Sequence, residues 1–134
     1  MIKRALQPIL ESKLFRGKII ILYGARQVGK TTLIKNIQNK YPDNSLFLNC
    51  DEPDIRELLT DTTSTKLKSI IGNKELILID EAQRVKNIGL TLKLFSDEIK
   101  NVQVIATGSS SFELSNIINE PLTGRKYVYT LMPV

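Results

Sequence analysis

Eight consecutive residues, Gly24-Ala25-Arg26-Gln27-Val28-Gly29-Lys30-Thr31, set two glycines at the ends of a short loop and follow the second with a lysine and a hydroxyl. Glycine tolerates backbone angles and close approaches that side chains obstruct, so successive N–H groups of such a loop can converge on one oxyanion. A helix that starts at Lys30 would add its positive end. Lys30 is suited to the β- and γ-phosphates of a polyphosphate, and the Thr31 hydroxyl is a hard oxygen of the kind a magnesium ion takes. A second chemical group follows at Asp80 and Glu81, directly after Leu76-Ile77-Leu78-Ile79. One carboxylate can hold a metal ion, and the next can polarise a water molecule as general base.

These two stretches fit the Walker A and Walker B patterns, the first being the more specific. The expected nucleotide-binding set is Gly24, Ala25, Arg26, Gln27, Val28, Gly29, Lys30, Thr31 and Thr32, with Thr31 and Asp80 as magnesium ligands. Lys30 and Glu81 are the expected catalytic groups. Two further positions join them. Val104-Ile105-Ala106 ends in Thr107-Gly108-Ser109-Ser110, where a polar side chain could contact the γ-phosphate or the water; Ser109 is the first choice, with Thr107 or Ser110 as alternatives. Arg125, in Gly124-Arg125-Lys126, is a candidate for stabilising charge on the transferred phosphoryl group, in its own subunit or a neighbouring one. Arg84, just after the acidic pair, is assigned no role.

The elements that must position these residues are legible as hydrophobic pattern. Ile19-Ile20-Ile21-Leu22-Tyr23 is apolar without alternation, as a strand buried on both faces of a parallel sheet reads. Leu33, Ile34 and Ile37 then recur at helical spacing, and Leu46 to Asn49 resumes a strand, giving a βαβ unit around the glycine loop. Pro53 to Leu59 and a segment around Leu67, Ile70 and Ile71, capped from Thr60 to Thr65, read as short helices. Glu75 to Asp80 is a third strand, Ile88 to Ile99 a longer helix, and Val102 to Ala106 and Tyr127 to Leu131 the fourth and fifth strands, with a weak helix near Leu114 between them. At the start, Leu6, Ile9, Leu10 and Leu14 form a helical stripe that Pro8 should kink or restart. The expectation is an α/β, three-layer, mostly parallel five-stranded sheet with helices on both faces, residues 1–17 forming a basic helical segment and 18–134 the core. The glycine loop and Asp80 are expected to meet at the tips of neighbouring strands.

Composition narrows the chemistry. The 134 residues suffice for one domain, and 42% hydrophobic with 25% charged residues is ordinary for a globular protein. No stretch is apolar enough to span a membrane and the N-terminus does not read as a secretory signal, so a cytoplasmic location is expected. The single cysteine, Cys50, has no partner for a disulfide or zinc site, and the absence of histidine excludes Ser-His and Cys-His nucleophilic dyads. The net charge is +5, of which Lys3, Arg4, Lys13, Arg16 and Lys18 against Glu11 contribute +4 within the first eighteen residues. That segment is either a solvated face or a contact for phosphates or nucleic acid.

With these residues placed, the chain resembles a prokaryotic family of AAA-type ATPases whose members usually join this domain to a C-terminal domain of unsettled function. The resemblance runs through the G-A-R-Q-V-G-K-T-T loop, Leu48-Asn49-Cys50-Asp51 with Pro53, Ile79-Asp80-Glu81-Ala82-Gln83, Thr107-Gly108-Ser109-Ser110, and Leu122-Thr123-Gly124-Arg125 with Leu131-Met132-Pro133. It implies a P-loop core of the additional-strand, catalytic-glutamate type with the loop-bearing strand at its centre, magnesium-dependent ATP hydrolysis, and a helical lid beyond Val134 that this chain lacks. It also suggests that Leu14, Phe15 and Arg16 contact adenine. ATP and ADP are the expected ligands; a nucleic-acid or protein partner and self-association stay open, and no membrane is expected. Two rivals remain: a nucleotide-gated binding module with incidental hydrolysis, and a small P-loop kinase, which would not need Glu81.

Overall fold

A computed structural model describes residues 2–24, 29–109 and 122–131 of the chain. Its elements, in chain order, are α1 (Ile2–Ser12), β1 (Ile19–Tyr23), α2 (Lys30–Gln38), β2 (Ser45–Asn49), α3 (Pro53–Leu59), α4 (Ser64–Ile71), β3 (Leu76–Asp80), a 3-10 turn (Ala82–Arg84), α5 (Ile88–Glu98), β4 (Gln103–Gly108) and β5 (Lys126–Thr130). The weak helix expected near Leu114 lies outside the described residues, as do Ala25, Arg26, Gln27, Val28, Ser110, Met132 and Pro133.

The five strands form one parallel sheet in the order β2-β3-β4-β1-β5. Its register aligns Phe47, Leu78, Ile105, Ile20 and Tyr127 in one row across all five strands. Because side chains alternate along a strand, that row faces one layer, where α1, the turn after it and α2 cover it with Leu6, Leu10, Leu14, Leu33, Ile34 and Ile37. The next row, Leu48, Ile79, Ala106 and Ile21, faces the other layer, filled by Leu59, Leu67, Ile71, Ile88, Leu92 and Phe95 from α3, α4 and α5. Both faces of β1, β3 and β4 are therefore dry. This explains the apolar runs Ile19–Leu22, Leu76–Ile79 and Val104–Ala106, since a strand with no solvent face admits a polar residue only where a hydrogen-bond partner meets it, as at Gln103, Thr107 and Asp80.

Three expectations need correction. The loop-bearing strand β1 is interior but not central; β4 holds the middle place. For the same reason β1 and β3 are not neighbours, because β4 is inserted between them. Hydrophobic pattern identifies a buried strand but not its partner, so nothing in the two apolar runs could have revealed the insertion. Finally, α1 runs unbroken through Pro8. Pro8 lies on the exposed side, where water can satisfy the carbonyl its missing N–H leaves unpaired, while Leu6 and Leu10 clamp the helix to the core on either side.

Candidate functional site

A parallel sheet delivers the carboxyl ends of all its strands to one edge, and the chemistry-bearing residues gather there. Gly24, just past β1, donates its N–H to the Gly108 carbonyl at the end of β4 at 3.1 Å. Gly29 stands before α2 at φ 89°, ψ 22°, a left-handed conformation that glycine adopts without steric cost. Its carbonyl accepts from Leu33 N at 2.9 Å, so the helix begins there and Lys30 and Thr31 occupy its first turn.

Thr31 Oγ1 donates to Asp80 Oδ2 at 2.8 Å, joining the start of α2 to the end of β3. The other carboxylate oxygen, Oδ1, accepts from Thr107 Oγ1 at 2.5 Å, and the Thr107 hydroxyl in turn accepts from the backbone N–H of Glu81 at 3.0 Å. Thr107 is fully buried on the inserted strand, and its hydroxyl ties the end of β4 to the end of β3. From the outer side, Cys50 N donates to the Asp80 carbonyl at 3.0 Å.

Glu81 turns its side chain into the same pocket because its backbone is left-handed, φ 55° and ψ 47°. Such a conformation is uncommon for a residue with a side chain and marks a position held by its surroundings. One carboxylate oxygen, Oε2, lies 3.7 Å from Lys30 Nζ, and both groups are buried, at 1% and 6% exposure. The other, Oε1, accepts from Ser109 Oγ and, at 3.0 Å, from Gln83 Nε2. Gln83 also accepts from Ser109 N through its Oε1, at 3.4 Å, so one amide bridges Glu81 and the end of β4. The sequence assigns Gln83 no role of its own; its signals there are its place two residues after Glu81 and its inclusion in the Ile79-Asp80-Glu81-Ala82-Gln83 stretch of the resemblance.

The described part of the pocket thus holds two buried carboxylates against one buried ammonium, a surplus of one negative charge. Beside it, Cys50 is sealed from solvent, and burial together with the Asp80 and Asp51 carboxylates pushes its thiol up to about 12 against the pull of Arg56. The thiol therefore stays protonated and inert.

Of the candidate residues described, the fold brings together Gly24, Gly29, Lys30, Thr31, Asp80, Glu81, Ser109 and the alternative Thr107, and adds Gln83. Thr32 stands next in α2, exposed at the first turn. Arg125 is elsewhere. Its carbonyl accepts from Ile19 N at 3.0 Å, at the amino-terminal end of the sheet, and its guanidinium pairs with Asp97 at 3.3 Å. A role in its own subunit's site is corrected accordingly: β1 runs its whole length between Arg125 and the glycine loop. Phe15 is at that far end too, its N–H on Gln103, the first residue of β4, so adenine contact by the Leu14-Phe15-Arg16 turn is also corrected. Arg84 pairs with Asp51 at 2.9 Å on the surface.

The AAA domain family matches residues 16–134, nearly the whole chain. The chain belongs to the AAA domain family. Among curated relatives, this AAA domain is 30% identical over 128 residues to an uncharacterized protein of Methanocaldococcus jannaschii, covering 93% of this chain but 29% of that protein. The chain thus spans less than a third of that relative's length. Among solved structures, the AAA domain is similar to a Walker-type ATPase of Pyrococcus abyssi, with TM-score 0.64 and 19% identity over 99% of this chain and 53% of that one. It is also similar to the RuvB Holliday junction branch migration motor of Thermotoga maritima, with TM-score 0.63 and 20% identity over 98% of this chain and 44% of that one. At those identities the likeness speaks for the fold, and the fold is that of P-loop nucleotide-binding ATPases.

Proposed function

We propose that this AAA domain binds ATP with magnesium and hydrolyses it to ADP and phosphate. The observation that carries the reading is the convergence of Thr31 and Lys30, from the start of α2, on Asp80 and Glu81, from the end of β3. In this reading the Gly24-to-Lys30 loop, with Thr32, surrounds the phosphates, and Lys30 turns from Glu81 toward the β- and γ-phosphate oxygens. Glu81 accepts a proton as the oxygen of water bonds to the γ-phosphorus and the bridging P–O bond breaks. Ser109 keeps that carboxylate oriented, and Gln83 supports it from behind.

The residues present suit magnesium. Oxygens adjacent in an octahedral shell at about 2.1 Å from the ion lie roughly 3 Å apart, and the Thr31 and Asp80 oxygens are separated by 2.8 Å. Among the described residues no group of three or more acidic, histidine or cysteine ligands forms an all-protein cage, which suits an ion whose remaining ligands are phosphate oxygens and water. When bound, it neutralises phosphate charge; Thr31 and Asp80 hold it.

Wild type, Glu81→Gln and Lys30→Ala should be compared for nucleotide binding by calorimetry and for phosphate release. Glu81→Gln is expected to bind ATP and lose turnover, and Lys30→Ala to lose affinity. Equal turnover in Glu81→Gln would remove the assigned base, and unchanged affinity in Lys30→Ala would remove the site. Phosphate passed to an added acceptor without any need for Glu81 would make the protein a kinase instead. Arg125, remote from its own site, is assigned to the site of a neighbouring subunit in a homo-oligomer, and the protein to the cytoplasm.

A second reading, in which nucleotide gates the binding of nucleic acid or another protein, is supported by the +4 charge of the first eighteen residues. The likeness to a Holliday junction branch migration motor favours the nucleic-acid version.

A further inference from the structure

The basic segment that the sequence left between two readings is built into the end of the sheet opposite the glycine loop. Lys13 and Lys18 both direct their ammonium groups at one ring, that of Tyr127 on β5, at 5.2 and 5.1 Å from its centroid. Neither lysine forms an ion pair among the described residues. Glu11, the acidic group nearest to them along the chain, is already engaged by Lys40 at 2.8 Å, and Asp97 on α5 is engaged by Arg125 at 3.3 Å. Arg16 is exposed in the same turn, and Lys126 precedes Tyr127. Two cations held on one ring without a counter-ion form a place for an anion.

Between those lysines stands Phe15. Its backbone is left-handed, φ 58°, where glycine or asparagine would be the low-strain choice, and yet its ring is 44% exposed. The conformation is enforced from inside. Gln103, 2% exposed, accepts from Phe15 N at 2.6 Å and donates to the Lys18 carbonyl at 3.0 Å, cinching both ends of the turn with one buried side chain. The ring leans on Tyr41, centroids 6.1 Å apart and planes at 57°. An aromatic ring presented to solvent by a strained, pinned turn and flanked by uncompensated cations combines the two elements of single-strand recognition: a face for a base to stack on and charges for the backbone.

We propose that this end of the sheet, with Phe15 as stacking platform and Lys13, Arg16 and Lys18 as phosphate contacts, is a binding surface for single-stranded nucleic acid. The surface gives the nucleic-acid reading above a location and rests on that reading, not on hydrolysis. Fluorescence anisotropy with a labelled oligothymidylate of about 20 nucleotides tests it. Wild type should bind at low salt and weaken steeply as salt rises. Lys13→Ala with Lys18→Ala should bind more weakly and lower the log–log salt slope by about 1.4, at about 0.7 per lysine. Phe15→Asn, which accommodates the positive φ, should weaken binding roughly tenfold with the slope unchanged and without lowering the melting temperature. Phe15→Trp should retain affinity, as should the exposed pair Lys66→Ala with Lys68→Ala on α4. Wild type that fails to bind would sink the nucleic-acid reading together with this surface. Binding that survives in both the lysine and the Phe15 variants would overturn the surface alone. A duplex or polyglutamate that competes equally, with Phe15→Asn unaffected, would reduce it to a generally basic face.

Discussion

Thr107 Oγ1 and Asp80 Oδ1 share a hydrogen bond of 2.5 Å between residues 27 positions apart. Asp80 ends β3 and Thr107 belongs to β4, so this bond exists only because β4 is inserted between the acidic strand and the loop-bearing one. With Thr31 on its other oxygen, Asp80 is fixed from both sides and its carboxylate cannot rotate away from the start of α2.

Thr107→Val keeps the shape and removes that hydroxyl. It leaves Asp80 Oδ1 and the Glu81 N–H without their partner, a cost of about 1–3 kcal/mol. We expect a lower melting temperature together with a higher magnesium concentration for half-maximal nucleotide binding, both measurable by thermal shift across a magnesium titration. A variant as stable as wild type would mean that water replaces the hydroxyl.

Gln83→Leu is expected to leave nucleotide affinity within about twofold of wild type while phosphate release falls tenfold or more, on the order of the contribution of general-base positioning. Because Gln83 acts through Glu81, the same change made in a Glu81→Gln background should cost almost nothing further. Additive losses would show that Gln83 acts by another route.

Alkaline pH should report on Cys50. Its thiol ionises at its ordinary 9.0 in the unfolded chain but is pushed up to about 12 when folded. Between those values the unfolded state loses a proton that the folded state keeps, so this group's contribution to stability is complete below pH 9 and declines as pH rises toward 12. Denaturant melts of wild type and Cys50→Ala across that range should diverge in slope, wild type falling faster; parallel curves would refute the assignment. Alkylation of Cys50 should likewise follow unfolding.

Leu10→Ala tests whether α1 belongs to the core. Leu10 is fully buried in the cluster with Leu33, Ile34 and Ile37, and its truncation should cost about 2–5 kcal/mol. Chemical denaturation measures this directly. A change below about 0.5 kcal/mol, usual for surface positions, would make residues 1–17 an appendage.

By itself, the sequence determined the strands, the glycine loop and the acidic pair, because burial on both sides and phosphate or metal chemistry each restrict which residue types can stand at which spacing. Ile19 to Tyr23 and Leu76 to Asp80 had to be interior strands whatever their partners. Strand order was undetermined, since an apolar run faces any apolar neighbour equally well, and with it went the bridging role of Thr107. Which end of the sheet a residue occupies was equally hidden: Arg125 and Phe15 are separated from Gly24 by the length of β1, a distance that follows from strand direction rather than from residue type. Gln83 gained its partners because a left-handed Glu81 turns its carboxylate toward Ser109, a backbone choice imposed by tertiary packing.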